Sequence, residues 1–116
     1  MTINALSRFI VATVCASGIA QAASSKDIEQ MTFFAIKLGR AVACHLDAGE
    51  EASRKVGLWF DRKFPRGTAE QGQYLMAFSS AILLAAKRQQ SGESFEPCGD
   101  VTRYFDSEEF RRALNR

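Results

Sequence analysis

Thr68-Ala-Glu-Gln-Gly-Gln-Tyr-Leu-Met-Ala-Phe-Ser-Ser-Ala-Ile-Leu-Leu-Ala-Ala-Lys-Arg-Gln-Gln-Ser-Gly92 is a helix with both of its ends written into the sequence. Thr68 and Gln71 form a capping box, in which each side chain takes one backbone N–H that the first turn leaves unpaired. Lys87 and Arg88 fall in the last turn, where cations suit the carbonyl end, and Gly92 supplies a natural stop. Between these ends, Tyr74 to Ala86 is apolar nearly all round. Thirteen residues are too few to cross a bilayer, so the segment reads as the central helix of a bundle, surrounded by the others.

The flanking sequence is helical too, with no strand-like alternation and no repeat. Ser24 is an N-cap with Asp27 three residues on. Ile28, Met31, Ala35, Leu38, Val42 and Leu46 then recur every three or four residues, and Gly49 is expected to stop that helix. A second helix is expected from Glu50 to Phe64, with Ala52, Val56, Trp59, Phe60 and Phe64 as its apolar stripe and Pro65-Arg66-Gly67 as its end. After the loop from Gly92 to Pro97, the tail reads as one or two short helices. Val101, Tyr104, Phe105, Phe110 and Leu114 are their apolar positions and Ser107 caps the last. The expected fold is all-α: three main helices plus short C-terminal helices in one domain, residues 23–116.

Residues 1–22 read as a cleaved export signal. Arg8 precedes the apolar run Phe9 to Ala20, and Ala20 and Ala22 stand at the −3 and −1 positions of a cleavage site. The run is far shorter than the roughly 20 residues of a membrane span, so no membrane span is expected. Cleavage would leave 94 residues, enough for one small core. It would also remove Arg8 and Cys15, leaving 14 basic against 13 acidic residues and two cysteines. Near-balanced charge argues against a nucleic-acid binder. In an oxidising periplasm, or outside the cell, Cys44 and Cys98 read as one disulfide.

Cys44 lies about 160° around the helical wheel from the first helix's apolar stripe, and Phe33 projects within about 20° of it. Something is therefore expected to cover that face. The candidate is the segment around Cys98, strapped across the helix with Phe95 or Tyr104 over Phe33. The alternative is a surface disulfide beside an exposed phenylalanine.

The inventory for chemistry is thin. His45 is the single histidine, so no Cys-His couple and no His/Cys zinc set can be assembled. At the end of the first helix, His45 reads as a capping or packing residue. Glu50-Glu51 and Glu108-Glu109 are sequence neighbours at helix starts, where they serve the helix dipole rather than share a site. No enzyme activity, cofactor or metal is expected. Gly57-Leu-Trp-Phe-Asp-Arg-Lys-Phe-Pro-Arg-Gly67 joins the only Trp to two Phe and three cations, a mixture favoured in binding hot spots. Trp59 and Phe60 read as core. Leu58, Arg62, Phe64 and Arg66 are the candidate partner contacts, with a plain core edge as the alternative.

Two stretches carry a resemblance: Arg40-Ala-Val-Ala-Cys44-His-Leu, and Cys98-Gly-Asp-Val-Thr-Arg-Tyr104-Phe-Asp-Ser-Glu-Glu-Phe110. In style they resemble the periplasmic amidase-immunity proteins of type VI secretion systems. There, an early helix carries a Cys in an Ala/Arg-rich turn and a late Cys precedes an aromatic-acidic helix. The resemblance implies an inhibitor that plugs the active site of a peptidoglycan hydrolase through a loop. Alternatives are a small acid-activated periplasmic chaperone, with Tyr74 to Ala86 as its client surface, and an accessory subunit of an envelope assembly. The sequence leaves the oligomeric state open.

Overall fold

Five helices follow one another in the computed structural model, which describes residues 24–116: α1 Ser25–Ala43, α2 Ala48–Lys63, α3 Ala69–Ser91, α4 Cys98–Phe105 and α5 Glu108–Leu114. No strand occurs among the described residues, so the chain is all-α as expected. The export signal read at 1–22 lies outside the described residues. Capping follows the sequence at three helix starts. The hydroxyls of Ser24, Thr68 and Ser107 accept from the N–H groups of Asp27, Gln71 and Phe110.

The central helix is α1, not α3, and this corrects the expectation drawn from composition. α1 packs against α2, α3 and α4. It buries Met31, Phe34, Ala35, Lys37, Leu38, Gly39 and Ala41, which together sweep about 200° of its wheel. α3 buries only Phe78, Ala85, Ala86 and Gln89. Tyr74, Ala81 and Ile82 are partly buried against the core, but four large apolar side chains face outward: Met76 is 74% and Leu83 67% exposed, and Leu75 and Leu84 are nearly half exposed.

The physical reason is Gly39. Without a side chain there, α3 lies directly on the α1 backbone. A Cβ at position 39 would stand 2.3 Å from the Ile82 carbonyl oxygen and 2.7 Å from the Ala85 Cβ. This close contact of small residues holds α3 along a narrow stripe, and among the described residues much of the rest of its circumference is left without cover. The contacts advance in step, Gly39 against Ile82 and Ala85, then Cys44 against Gln89, so α1 and α3 run parallel. α2 returns antiparallel between them in sequence, with Gly49 near Ala41 and Trp59 against Phe34.

Replacing Gly39 with alanine tests this crossing. The clash falls on a backbone carbonyl that cannot swing aside. Overpacking of about 3 kcal/mol is therefore expected to outweigh the roughly 1 kcal/mol that alanine gains in a helix interior. Chemical unfolding should show a net loss of about 2 kcal/mol. A neutral or stabilising Gly39→Ala would mean that α3 is not held by this contact.

The end of α1 also departs from expectation. The helix stops at Ala43, and Gly49 lies inside α2 rather than ending α1. The stop is a Schellman turn: the Leu46 N–H donates to the Ala41 carbonyl and the His45 N–H to the Val42 carbonyl. His45 itself takes the left-handed conformation, with φ 53°, that glycine usually fills. Ending there leaves Val42 exposed instead of on the core stripe, and lets α2 begin at Ala48 rather than Glu50.

The other stripes are where the sequence places them. Ala52, Val56, Trp59, Phe60 and Phe64 are buried from α2, and Val101, Tyr104, Phe105 and Phe110 from the tail. Their rings meet mostly edge to face, Phe34 with Trp59 at 5.0 Å and with Phe110 at 5.7 Å between centroids. The strap is present but covers Phe33 only in part: Cys44 and Cys98 are bonded with Cα atoms 5.8 Å apart and Tyr104 lies edge-on to Phe33 at 5.4 Å, yet Phe33 stays 39% exposed, as the alternative had it. Phe95, the other candidate cover, is exposed.

Candidate partner-binding surface

The corner between α2 and α3 is a tight turn seated on a ladder of rings. Phe60 and Phe64 lie 4.7 Å apart between centroids, Phe64 and Tyr74 4.8 Å, and Phe60 and Phe78 5.5 Å. Above this base the chain reverses through Pro65-Arg66-Gly67, with Gly67 at φ 87°. The Thr68 hydroxyl donates to the Pro65 carbonyl at 2.8 Å while accepting from the Gln71 N–H. The turn is exposed yet held at both ends, so its conformation is set before any partner arrives.

The four candidate contact residues have different fates. Leu58 projects from the outer face of α2 and is 63% exposed, a large apolar side chain in water. Arg66 is exposed at the tip of the turn, its guanidinium 2.9 Å from the Asp61 carboxylate. Arg62 is exposed but donates to the Leu114 carbonyl at 2.7 Å, tying α2 to the C-terminal helix. Phe64 is only 3% exposed and leaves the contact set: its ring is a rung of the ladder. Periodicity puts Phe64 on the apolar stripe of α2 and Leu58 off it, and burial follows the stripe rather than the nearness of both to the same cations. Trp59 is core, as read.

Among the described residues no group of three His, Cys, Asp or Glu side chains is placed to hold a metal. His45 is exposed beside the α1–α2 turn.

A groove of about 860 Å³ opens at the same end of the bundle, between the start of α1, the last turn of α2 and the C-terminus. Asp27, Phe33, Lys63, Tyr104, Glu109 and Arg116 are among the residues that line it. Lys63 holds this rim together, reaching Asp27 at 3.8 Å and donating to the Arg116 carbonyl. Burial, reinforced by Glu109 and opposed by Arg116, holds the Tyr104 phenol well above its ordinary pKa, so it stays protonated.

The outward face of α3 fits the sequence alternative that offered Tyr74 to Ala86 as a surface. A feature with no signal in the sequence is a part-buried ion cluster, in which the Glu96 carboxylate accepts from Lys37 at 2.8 Å and from Arg40 at 3.1 Å. Gln89 clasps the Glu96 backbone from both sides, donating to its carbonyl and accepting from its N–H. The ion pairs and the disulfide fix the 92–98 loop on α1, and Gln89 ties it to the end of α3.

A scan against protein-family models, a search of curated proteins and a search of solved structures each find no match to this chain.

Proposed function

We propose that this chain is an exported, non-enzymatic binding protein of the cell envelope, an inhibitor or immunity protein for a cell-wall hydrolase. The observation that carries the reading is the α2–α3 corner. Leu58 offers an apolar anchor and Arg66 a cation at the tip of a turn that rings and hydrogen bonds already hold. A convex, ordered turn enters a concave site without the usual ordering cost, which is how loop-inserting inhibitors reach high affinity. The disulfide suits the oxidising compartment in which such hydrolases work.

The test is capture of envelope proteins on the oxidised chain, followed by titration of any peptidoglycan hydrolase recovered. A one-to-one complex that stops wall digestion is expected. Leu58→Asp and Arg66→Glu should each weaken it about tenfold or more, or about 1.4 kcal/mol, while leaving the fold intact. Recovery of no hydrolase, or unchanged affinity in both variants, would refute the reading.

A second reading, a stress chaperone, is favoured by one observation: Leu75, Met76, Leu83 and Leu84 already face solvent in the folded chain. Suppression of an unrelated protein's aggregation on acidification would select it, and dye binding without such suppression would count against it.

A further inference from the structure

Two buried hydrogen-bond donors lack an acceptor among the described residues, and both belong to the walls of one groove. The Trp59 indole N–H and the Tyr104 hydroxyl are out of contact with solvent and unpaired. Trp59 is 2% and Tyr104 8% exposed, and both side chains line the groove between the start of α1, the last turn of α2 and the C-terminus. Nearly all buried polar groups in folded proteins are paired, because an unpaired one weakens the fold. Two such groups in one groove mark a place for an acceptor from outside the chain.

The rest of the groove narrows what that acceptor is. Its volume, about 860 Å³, is that of a site for a small molecule or a short peptide. Phe33, Trp59 and Tyr104 give it aromatic walls, so the acceptor must sit on a body with an apolar face. Lys26, Lys63 and Arg116 are matched by Asp27, Glu29 and Glu109, so the lining exerts no net pull on an anion. Around the Tyr104 hydroxyl, burial first and then Glu109 against Arg116 disfavour negative charge. The hydroxyl therefore donates, and a neutral oxygen suits it better than a carboxylate. An amide carbonyl is uncharged, a strong acceptor and flat enough to lie against a ring.

We propose that this groove is a binding site for a neutral, amide-bearing ligand, whose carbonyl oxygens accept from the Trp59 indole and the Tyr104 hydroxyl. Two sources supply that chemistry, a stretch of peptide backbone and an N-acetylated sugar. Reaching the donors requires the rim of the groove to part. Its tie is loose: Lys63 meets Asp27 at 3.8 Å, and both side chains are more than one-fifth exposed. The inference goes beyond the proposed function. It concerns the groove rather than the turn at the corner and is tested without any hydrolase, so either can fail without the other.

Trp59 is the only tryptophan, so its indole gives one N–H resonance in isotope-labelled, oxidised protein. An uncharged, end-capped trialanine and di-N-acetylchitobiose are titrated separately against that signal. At least one should move the resonance downfield and saturate it with a dissociation constant of about 1 mM or lower. The probe that does so names the source. Uncapping the peptide's C-terminus, which adds a carboxylate, should not tighten its binding, and a gain would overturn the assignment to a neutral ligand. Tyr104→Phe removes the hydroxyl alone. Because that hydroxyl is unpaired in the free chain, the variant should keep its full stability yet bind the same probe about fivefold more weakly. An indole resonance that neither probe moves at about 10 mM would overturn the proposal, leaving the donors to trapped water. So would probe binding that Tyr104→Phe leaves at full strength.

Discussion

Replacing Cys44 and Cys98 with serine is expected to lower the stability of the fold by about 4 kcal/mol, the largest effect of any change that leaves the core untouched. The bridge joins residues 54 apart, and cross-linking a loop of that length removes roughly that much conformational freedom from the unfolded chain. Small domains hold about 5–15 kcal/mol in total. For a chain of this size the loss corresponds to a fall in melting temperature of about 20 °C. Thermal and urea unfolding of the oxidised protein and the double serine variant make the comparison. The bridge also has a local task, because it pins the start of α4 to the end of α1 and so sets Tyr104 over Phe33. The variant should therefore lose protection from amide exchange first at α4, before the α1–α2 pair opens. A loss below about 1 kcal/mol would mean that the ion cluster around Glu96 holds this segment without the bridge.

The sequence carried the existence of the helices and most of the core, and it failed wherever burial depended on a distant partner. Caps at Ser24, Thr68 and Ser107 are local bonds, decided within four residues, so they could be read directly. The stripe from Ala52 to Phe64 is also local, because helical periodicity alone puts those residues on one side. Which of two apolar helices stands at the centre is a different matter. α3 is the more apolar all round, but Gly39 determines the answer from α1, by admitting α3 closely along one stripe only.

Lys37 illustrates the same limit. It is only 9% exposed, which no reading of a lysine on an otherwise polar face would suggest. Its burial depends on Glu96, 59 residues away, and on the rings of Phe33 and Tyr104, which its ammonium overlies at 5.5 and 4.8 Å. Of the candidate contacts, Leu58 was legible because it projects off a clear stripe. Phe64 belongs to that stripe, and what periodicity could not show is the set of rings that seals it, which come from two helices that only the turn brings together.

Removal of the Glu96 side chain is the second large effect, an expected loss of about 3 kcal/mol for Glu96→Ala. Lys37, Arg40 and Glu96 have side chains no more than one-fifth exposed. Taking away the carboxylate leaves two cations in a partly dehydrated place, and broken buried pairs cost more than intact ones contribute. Glu96→Gln, which keeps the shape and some hydrogen bonding, should lose less. A Lys37→Met, Glu96→Gln double variant should recover part of the difference by removing one of the stranded charges. The decisive measurement is the coupling with the disulfide. Glu96 and Cys98 fasten the same short segment to the same helix, so once either is lost the other restrains a segment already loose. The triple variant Cys44→Ser, Cys98→Ser, Glu96→Ala should therefore be less destabilised than the two losses added together, by about 1–2 kcal/mol. Strict additivity would mean that the ion cluster and the bridge act on separate parts of the fold. The 92–98 loop would then not be the single clamp that their shared attachment to α1 implies.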